Sequence, residues 1–235
     1  MSDRAPLAAR ALAEGLGTGL LVAVVVGSGI AAERLSPGDV GLQLLENSTA
    51  TVLALAALIL TFGAVSGAHF NPAVTLAELA RGKIERRAAA AYVLVQVAGG
   101  CAGAIVANLM YELPAIDLST HDRITSATFL AEVVATFGLL TVIFGVVRYG
   151  LPGAVPIAVA GYIGAAYWFT SSTSFANPAV TIARTLSDTF AGIRPASAPG
   201  FIAAQLLGAA LAVAVARVVF PEPEPSLEDT LDARR

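Results

Sequence analysis

The chain has 235 residues, 56% of them hydrophobic and 13% charged, with a net charge of −3. Soluble domains carry nearer ~25% charged residues, and the deficit here is spread along the whole chain, so an ordinary water-soluble globule is excluded. A lipid bilayer is the expected solvent, and the small net charge points to no particular partner.

Residues 1–10 are weakly basic, but the apolar run after them continues through Ile30, longer than the short apolar stretch of a signal, so a retained first helix is expected. A helical span needs about 20 mostly apolar residues. Six are predicted in order: Ala11–Ile30, Ala50–Val65, Ala88–Met110, Ala127–Val147, Ala154–Phe169 and Gly200–Phe220. Two further apolar segments, residues 71–80 and 177–186, are too short to cross. The lone cysteine, Cys101, lies inside the third span and cannot pair within the chain, so no internal disulfide is expected. With the N-terminus inside, ten of the 14 Lys and Arg residues fall on the inner side. The positive-inside rule therefore puts both termini in the cytoplasm, with a short polar tail over residues 221–235 that reads as disordered.

The chain repeats itself. Ala13-Glu14 opens span one and Ala131-Glu132 opens span four; Gln96-Val97-Ala98-Gly99 is answered by Gln205-Leu206-Leu207-Gly208. Asn71-Pro72-Ala73-Val74-Thr75 recurs as Asn177-Pro178-Ala179-Val180-Thr181. The halves are residues 11–112 and 127–220, joined by an outer loop over 113–126. Three spans per half is an odd number, so the second half enters the membrane from the opposite side. Inverted repeats place a transport site near the midplane.

Asparagine caps helix N-termini and proline suits the first helical position. Asn71-Pro72-Ala73 and Asn177-Pro178-Ala179 should each start a half-helix at mid-membrane, with the two positive helix ends facing each other. The Asn71 and Asn177 amides can then donate to one passing oxygen and interrupt a water wire. Irregular backbone at that depth must line a wet path or be covered by protein. Residues Gly67, Ala68 and His69 before the first cap, and Thr173 and Phe175 before the second, are expected to offer carbonyl oxygens to the pore as acceptors. Glu14 and Glu132, buried within spans, are functional suspects by position. Proton coupling in a secondary transporter is one role for them. Bracing of the re-entrant loops, with Gln96 and Gln205, is the other, and their matched places in the two halves favour it. Gly99, Gly100, Gly103 and Gly208 permit close helix approach.

The stretch Ser66-Gly67-Ala68-His69-Phe70-Asn71-Pro72-Ala73-Val74-Thr75 is nearly the first-loop signature of the aquaporin, or major intrinsic protein, family, and the chain resembles that family over residues 8–220. The resemblance implies an all-α membrane fold of six spans and two re-entrant half-helices, assembled as a homotetramer in the inner (plasma) membrane. It also implies a filter at Thr51, Ala165, Ser174 and Val180, with Gly164 and Ala166 as alternatives to Ala165.

The family's usual arginine after the second motif is replaced by Val180. Arg184 follows more than one turn along the half-helix and is not expected to take its place. A wide, uncharged, mildly polar constriction follows, expected to pass larger neutral or weakly anionic hydroxylated solutes than a water channel does, unless Trp168 or Phe175 refills it. Weaker cation exclusion and a modest proton leak also follow. Residues 175–193 resemble a bacterial aquaglyceroporin subgroup associated with arsenic resistance, which implies passage of arsenite, antimonite and methylated arsenicals besides glycerol and water. The competing readings are a general water and glycerol facilitator without a metalloid role, a proton-coupled transporter, and a closed junction protein. No nucleophile–base pair, metal-ligand cluster or phosphate loop is visible, so no enzyme, cofactor or metal is expected. No basic, aromatic-interleaved surface suggests nucleic acid as a partner.

Overall fold

The computed structural model describes residues 5–221. The expected cytoplasmic tail therefore lies almost wholly outside the described residues, as do residues 1–4. The order is α1 (Leu7–Leu35), α2 (Val40–Ser66), α3 (Pro72–Ala80), α4 (Arg86–Met110), α5 (Ser126–Arg148), α6 (Val155–Phe169), α7 (Pro178–Ala183) and α8 (Ala198–Val219). Short 3₁₀ turns precede α6 at Pro152–Ala154 and follow α7 at Arg184–Leu186. Among the described residues there is no strand.

Five helices, α1, α2, α4, α5 and α8, are long and apolar enough to cross a bilayer. The sixth span, α6, has only 15 residues, about 22 Å of helix. The irregular segment 170–177 follows it and leads back into the bundle to the start of α7. Helices α3 and α7 start at the middle and run to opposite ends of the bundle. The described ends of α1 and α8 share one end. The outer loop 113–126 and the segment 184–197 share the other, joined by Asp117 N to Leu186 O and Ser119 N to Thr185 O, both 3.0 Å.

The bundle is inverted relative to a soluble protein. Leu12, Leu16, Leu53, Leu60, Leu94, Ile157 and Val218 face outward, while Glu14, Gln96, Glu132 and Gln205 are each 0% exposed. Lipid accepts the leucines, and only the interior offers partners to the carboxylates and amides.

Two helices are longer than hydropathy alone predicts. Helix α2 begins at Val40 rather than Ala50, because its polar first turns are satisfied inside. Asn47 Nδ2 donates to Val25 O and Ser28 Oγ, both 2.9 Å, and Gln43 Nε2 donates to Ser36 O at 2.8 Å. Helix α1 continues five residues past Ile30, where Arg34 donates to Tyr111 O at 2.7 Å.

The closest helix pair is α1 with α4. A Cβ added at Gly99 would strike the carbonyl oxygen of Gly15, and one at Gly103 that of Gly19. Backbone, not a flexible side chain, occupies that space, so neither glycine tolerates a side chain without the helices separating. Overpacking of this kind costs about 1–3 kcal/mol or more. We expect Gly103→Leu to lower the unfolding midpoint of the detergent-purified protein by several degrees and to reduce the monodisperse fraction on gel filtration. A midpoint equal to the parent's would show that the α1–α4 contact bears little of the stability.

The candidate pore

The two Asn-Pro motifs act as local capping chemistry dictates. Asn71 Oδ1 accepts from Ala73 N at 2.8 Å; Asn177 Oδ1 accepts from Ala179 N at 3.0 Å and Val180 N at 3.3 Å. Each asparagine then reaches into the other repeat. Asn71 Nδ2 donates to Ala176 O at 2.7 Å, and Asn177 Nδ2 donates to Phe70 O at 2.8 Å. An amide nitrogen carries two hydrogens, so one N–H of each asparagine is committed to the crossed bond and one is left for the cavity that both residues border.

The loops before the caps share one unusual conformation. Gly67, Ala68 and Phe70 have φ of 92°, 49° and 49°; their counterparts Thr173, Ser174 and Ala176 have 60°, 52° and 47°. Left-handed backbone at a non-glycine residue costs about 1–2 kcal/mol, so something must hold it. In the first repeat Glu14 does so. Its Oε1 accepts from Ser66 Oγ at 2.6 Å and His69 N at 2.9 Å; its Oε2 accepts from Phe70 N at 2.7 Å and Gln96 Nε2 at 2.8 Å. In the second, Glu132 Oε1 accepts from Ser172 Oγ at 2.6 Å and Phe175 N at 2.9 Å; its Oε2 accepts from Ala176 N at 2.8 Å and Gln205 Nε2 at 2.6 Å. Gln96 and Gln205 also donate to Thr75 Oγ1 and Thr181 Oγ1, at 3.0 and 2.9 Å. Four donors per carboxylate are the geometry of a brace and leave little room for a migrating proton.

One elongated cavity of about 550 Å³ runs through the bundle past both asparagines. One wall is apolar and set by helical spacing: Thr51, Leu55 and Ile59 of α2, Leu139, Ile143 and Val147 of α5, and Pro156, Val159, Ile163 and Tyr167 of α6. The facing wall is polar and comes from the loops, through residues 67–71 and 174–177. His69 borders it, with Nδ1 3.1 Å from Thr75 Oγ1 and its ring edge-on to Tyr92, as a packed loop histidine.

Three expectations about the far end need correction. Ala165 does not border the cavity; it is exposed on the outer face of α6, opposite the stripe that carries Ile163 and Tyr167. Tyr167 stands there instead, and its hydroxyl donates to Thr51 Oγ1 at 3.3 Å. Thr173 also lies off the cavity, because its N–H closes a turn onto Thr170 O at 3.2 Å. Finally, this end is not free of charge. Arg184 borders the cavity, 3% exposed, with its guanidinium carbon 3.4 Å from the Phe175 ring centroid. Side chains on a helix lean toward its N-terminus, and that lean brings a long residue one turn beyond Val180 back to the loop.

Thr51, Ser174 and Val180 do border the cavity, and Phe175 joins them. Trp168 is 53% exposed and refills nothing. Of the serine and threonine run 171–174, Ser172 serves Glu132 and Ser171 donates to Ala127 O at 3.3 Å. The Ser174 hydroxyl alone stays buried without a protein partner. Arg123 donates to Gly192 O and Phe190 O at 2.6 and 2.7 Å. Asp188 accepts from Thr120 N at 2.8 Å, a bond that holds its carboxyl below the usual carboxylate range.

Residues 1–170 match the family model described as major intrinsic protein. The chain belongs to the major intrinsic protein family. The second Asn-Pro-Ala loop lies beyond that match, and its place in the fold rests on the geometry above. Among relatives, the chain is 50% identical over 224 residues to the aquaglyceroporin AqpS of Rhizobium meliloti, covering 95% of each. It is 30% identical to Aquaporin Z of Rhodopseudomonas palustris, over 92% of this chain and 95% of the relative. It is 35% identical to the glycerol uptake facilitator protein of Escherichia coli, over 58% of this chain and 48% of the relative. Its fold matches the X-ray structure of the aquaglyceroporin from Plasmodium falciparum with a TM-score of 0.73 at 23% identity, covering 92% and 98% of the two chains. The protein is accordingly a multi-pass membrane channel and not an enzyme.

Proposed function

We propose that this channel passively conducts small hydroxylated solutes, glycerol and water among them, and extends to arsenous acid, antimonous acid and methylated arsenicals. The observation that carries the reading is the two-sided cavity, with apolar stripes from α2, α5 and α6 on one wall and re-entrant loops with two asparagine amides on the other. A solute with hydroxyls on one edge and carbon or a metalloid on the other satisfies both walls at once. Thr51, Ser174 and Val180, with Tyr167 and Arg184, form the selective mouth in this reading. The 50% identity to a protein called an aquaglyceroporin supports the polyol part. Val180, smaller than an arginine, supports room for a methyl group.

Tyr167 and Arg184 favour a second, narrower reading, a water and glycerol facilitator without a metalloid role, since both occupy space at the mouth that a small filter would leave open. The wider assignment includes a homotetramer in the inner (plasma) membrane with both termini in the cytoplasm, which puts Arg184 at the outer mouth. A proton-coupled transporter is disfavoured by the four donors on each of Glu14 and Glu132.

Stopped-flow permeation in proteoliposomes separates these readings on one preparation. We expect glycerol and arsenous acid to cross at least tenfold faster than in protein-free vesicles, with methylarsenical flux retained. Fast glycerol with background arsenical flux would leave the narrower facilitator. Background rates for every solute would overturn the channel reading itself.

A further inference from the structure

Arg184, at the proposed outer mouth, carries a charge that no carboxylate among the described residues answers. Its Nε donates to Ala191 O, while its two terminal nitrogens donate to no protein group among the described residues. No carboxylate among those residues lies within ion-pair distance of it. Arg123 also approaches the Phe175 ring, with its guanidinium carbon 5.7 Å from the centroid, and it too lacks a carboxylate partner among the described residues.

The nearby acids are committed elsewhere. Glu132, within electrostatic range of Arg184, is saturated by four donors. Asp188 serves Thr120, and Asp122 accepts from Ser197 Oγ at 2.6 Å. The Ser174 hydroxyl, which borders the same cavity as Arg184, is buried and has no protein partner among the described residues.

Burying most of a guanidinium without a counter-charge is costly, because much of its attraction to water is lost and one carbonyl partner does not restore it. Two on one aromatic ring repel each other besides, and cation–π attraction offsets only part of that cost. Such a cluster is stabilised by a ligand that brings negative charge and accepts hydrogen bonds. The planar fork of Arg184 presents paired donors suited to two oxygens of one group, and Ser174 adds a third donor. Space at the site is limited by Val180 and Tyr167, so the ligand must be small.

We infer that Arg184, with Ser174 and backed by Arg123, forms a binding site for a small, singly charged oxyanion at the outer mouth of the cavity. The inference rests on the proposed channel function, since the bound anion lies in the path of the neutral solute. A resident oxyanion competes with glycerol for the same donors.

The test is glycerol efflux from proteoliposomes in potassium nitrate against potassium gluconate at equal ionic strength. Nitrate is a small oxyanion that stays ionised at all working pH values, and gluconate is too large to enter. We expect nitrate to slow the wild-type protein at least twofold with saturating concentration dependence, and gluconate to have no such effect. The nitrate-to-gluconate rate ratio, read within each variant, should return to one in Arg184→Gln and shift part-way in Ser174→Ala. Wild-type efflux equal in the two salts at all concentrations would overturn the site, whether or not either variant folds. So would a ratio in Arg184→Gln as low as the wild type's. Absence of glycerol efflux in gluconate is a different result, which removes the channel reading and with it the basis of the site.

Discussion

Glu132→Leu should abolish recovery of folded protein, the largest effect expected of any single substitution here. The carboxylate is fully buried and accepts from Phe175 N, Ala176 N, Ser172 Oγ and Gln205 Nε2. Leucine fills the volume and accepts nothing. The serine and glutamine side chains can turn toward other partners, but the two backbone N–H groups cannot. A buried donor left unsatisfied costs about 1–3 kcal/mol. The left-handed residues Thr173, Ser174 and Ala176 would lose the anchor that holds them. The sum approaches the ~5–15 kcal/mol that is the whole stability of a typical domain. Glu132→Gln keeps one acceptor oxygen and should give an intermediate unfolding midpoint. Fluorescence-detected gel filtration and a thermal ramp in detergent give the readout. A leucine variant with the parent's yield and midpoint would show that the loop holds its shape without the carboxylate.

The second large effect is on transport. Val180→Arg should cut glycerol and methylarsenical flux at least tenfold while sparing water. Val180 borders the cavity at the first turn of α7, 5% exposed, on the same stretch as Tyr167 and Thr51. An arginine there projects into a mouth that already holds Arg184, four residues on. Like charges at that spacing repel, more strongly in a low-dielectric interior than in water. The new side chain therefore has to extend away from Arg184, across the open cross-section. Val180→Ile, one methylene larger, should cost only a few-fold in the same assay. Equal methylarsenical rates in the valine and arginine proteins would show that position 180 does not set the aperture.

Local chemistry made part of this molecule readable in advance. Asparagine is a strong cap and proline suits the first helical position, so the starts of α3 and α7 could be located to the residue, while the second half-helix, expected to run to 186, ends at Ala183 in a 3₁₀ turn. A glutamate within an apolar run must find donors, and the doubled motif says where those donors lie. The facing of α6 was not legible for the opposite reason. Nearly all of its side chains are apolar, on the lipid side and the pore side alike, so periodicity cannot separate Ala165 from Tyr167. Only contact with α2 and α5 fixes its rotation. The start of α2 was hidden because Gln43 and Asn47 read as loop residues until their partners on α1 and in the turn before α2 are known. Backbone rise alone puts Arg184 beyond the mouth, but the reach and lean of a long side chain along its helix decide where the charge ends up.

The crossed bonds from Asn71 to Ala176 and from Asn177 to Phe70 carry a consequence for biogenesis. Each repeat finishes its re-entrant loop with a donor supplied by the other, so neither half is a self-sufficient folding unit. The loop at Phe70 and Asn71 leaves the ribosome more than a hundred residues before its partners Ala176 and Asn177 exist, and it must wait incomplete in the bilayer. Closure of the midplane is thus a late and mutual event. Two separately synthesised halves would each be incomplete, yet together would hold every group needed to lock the pair.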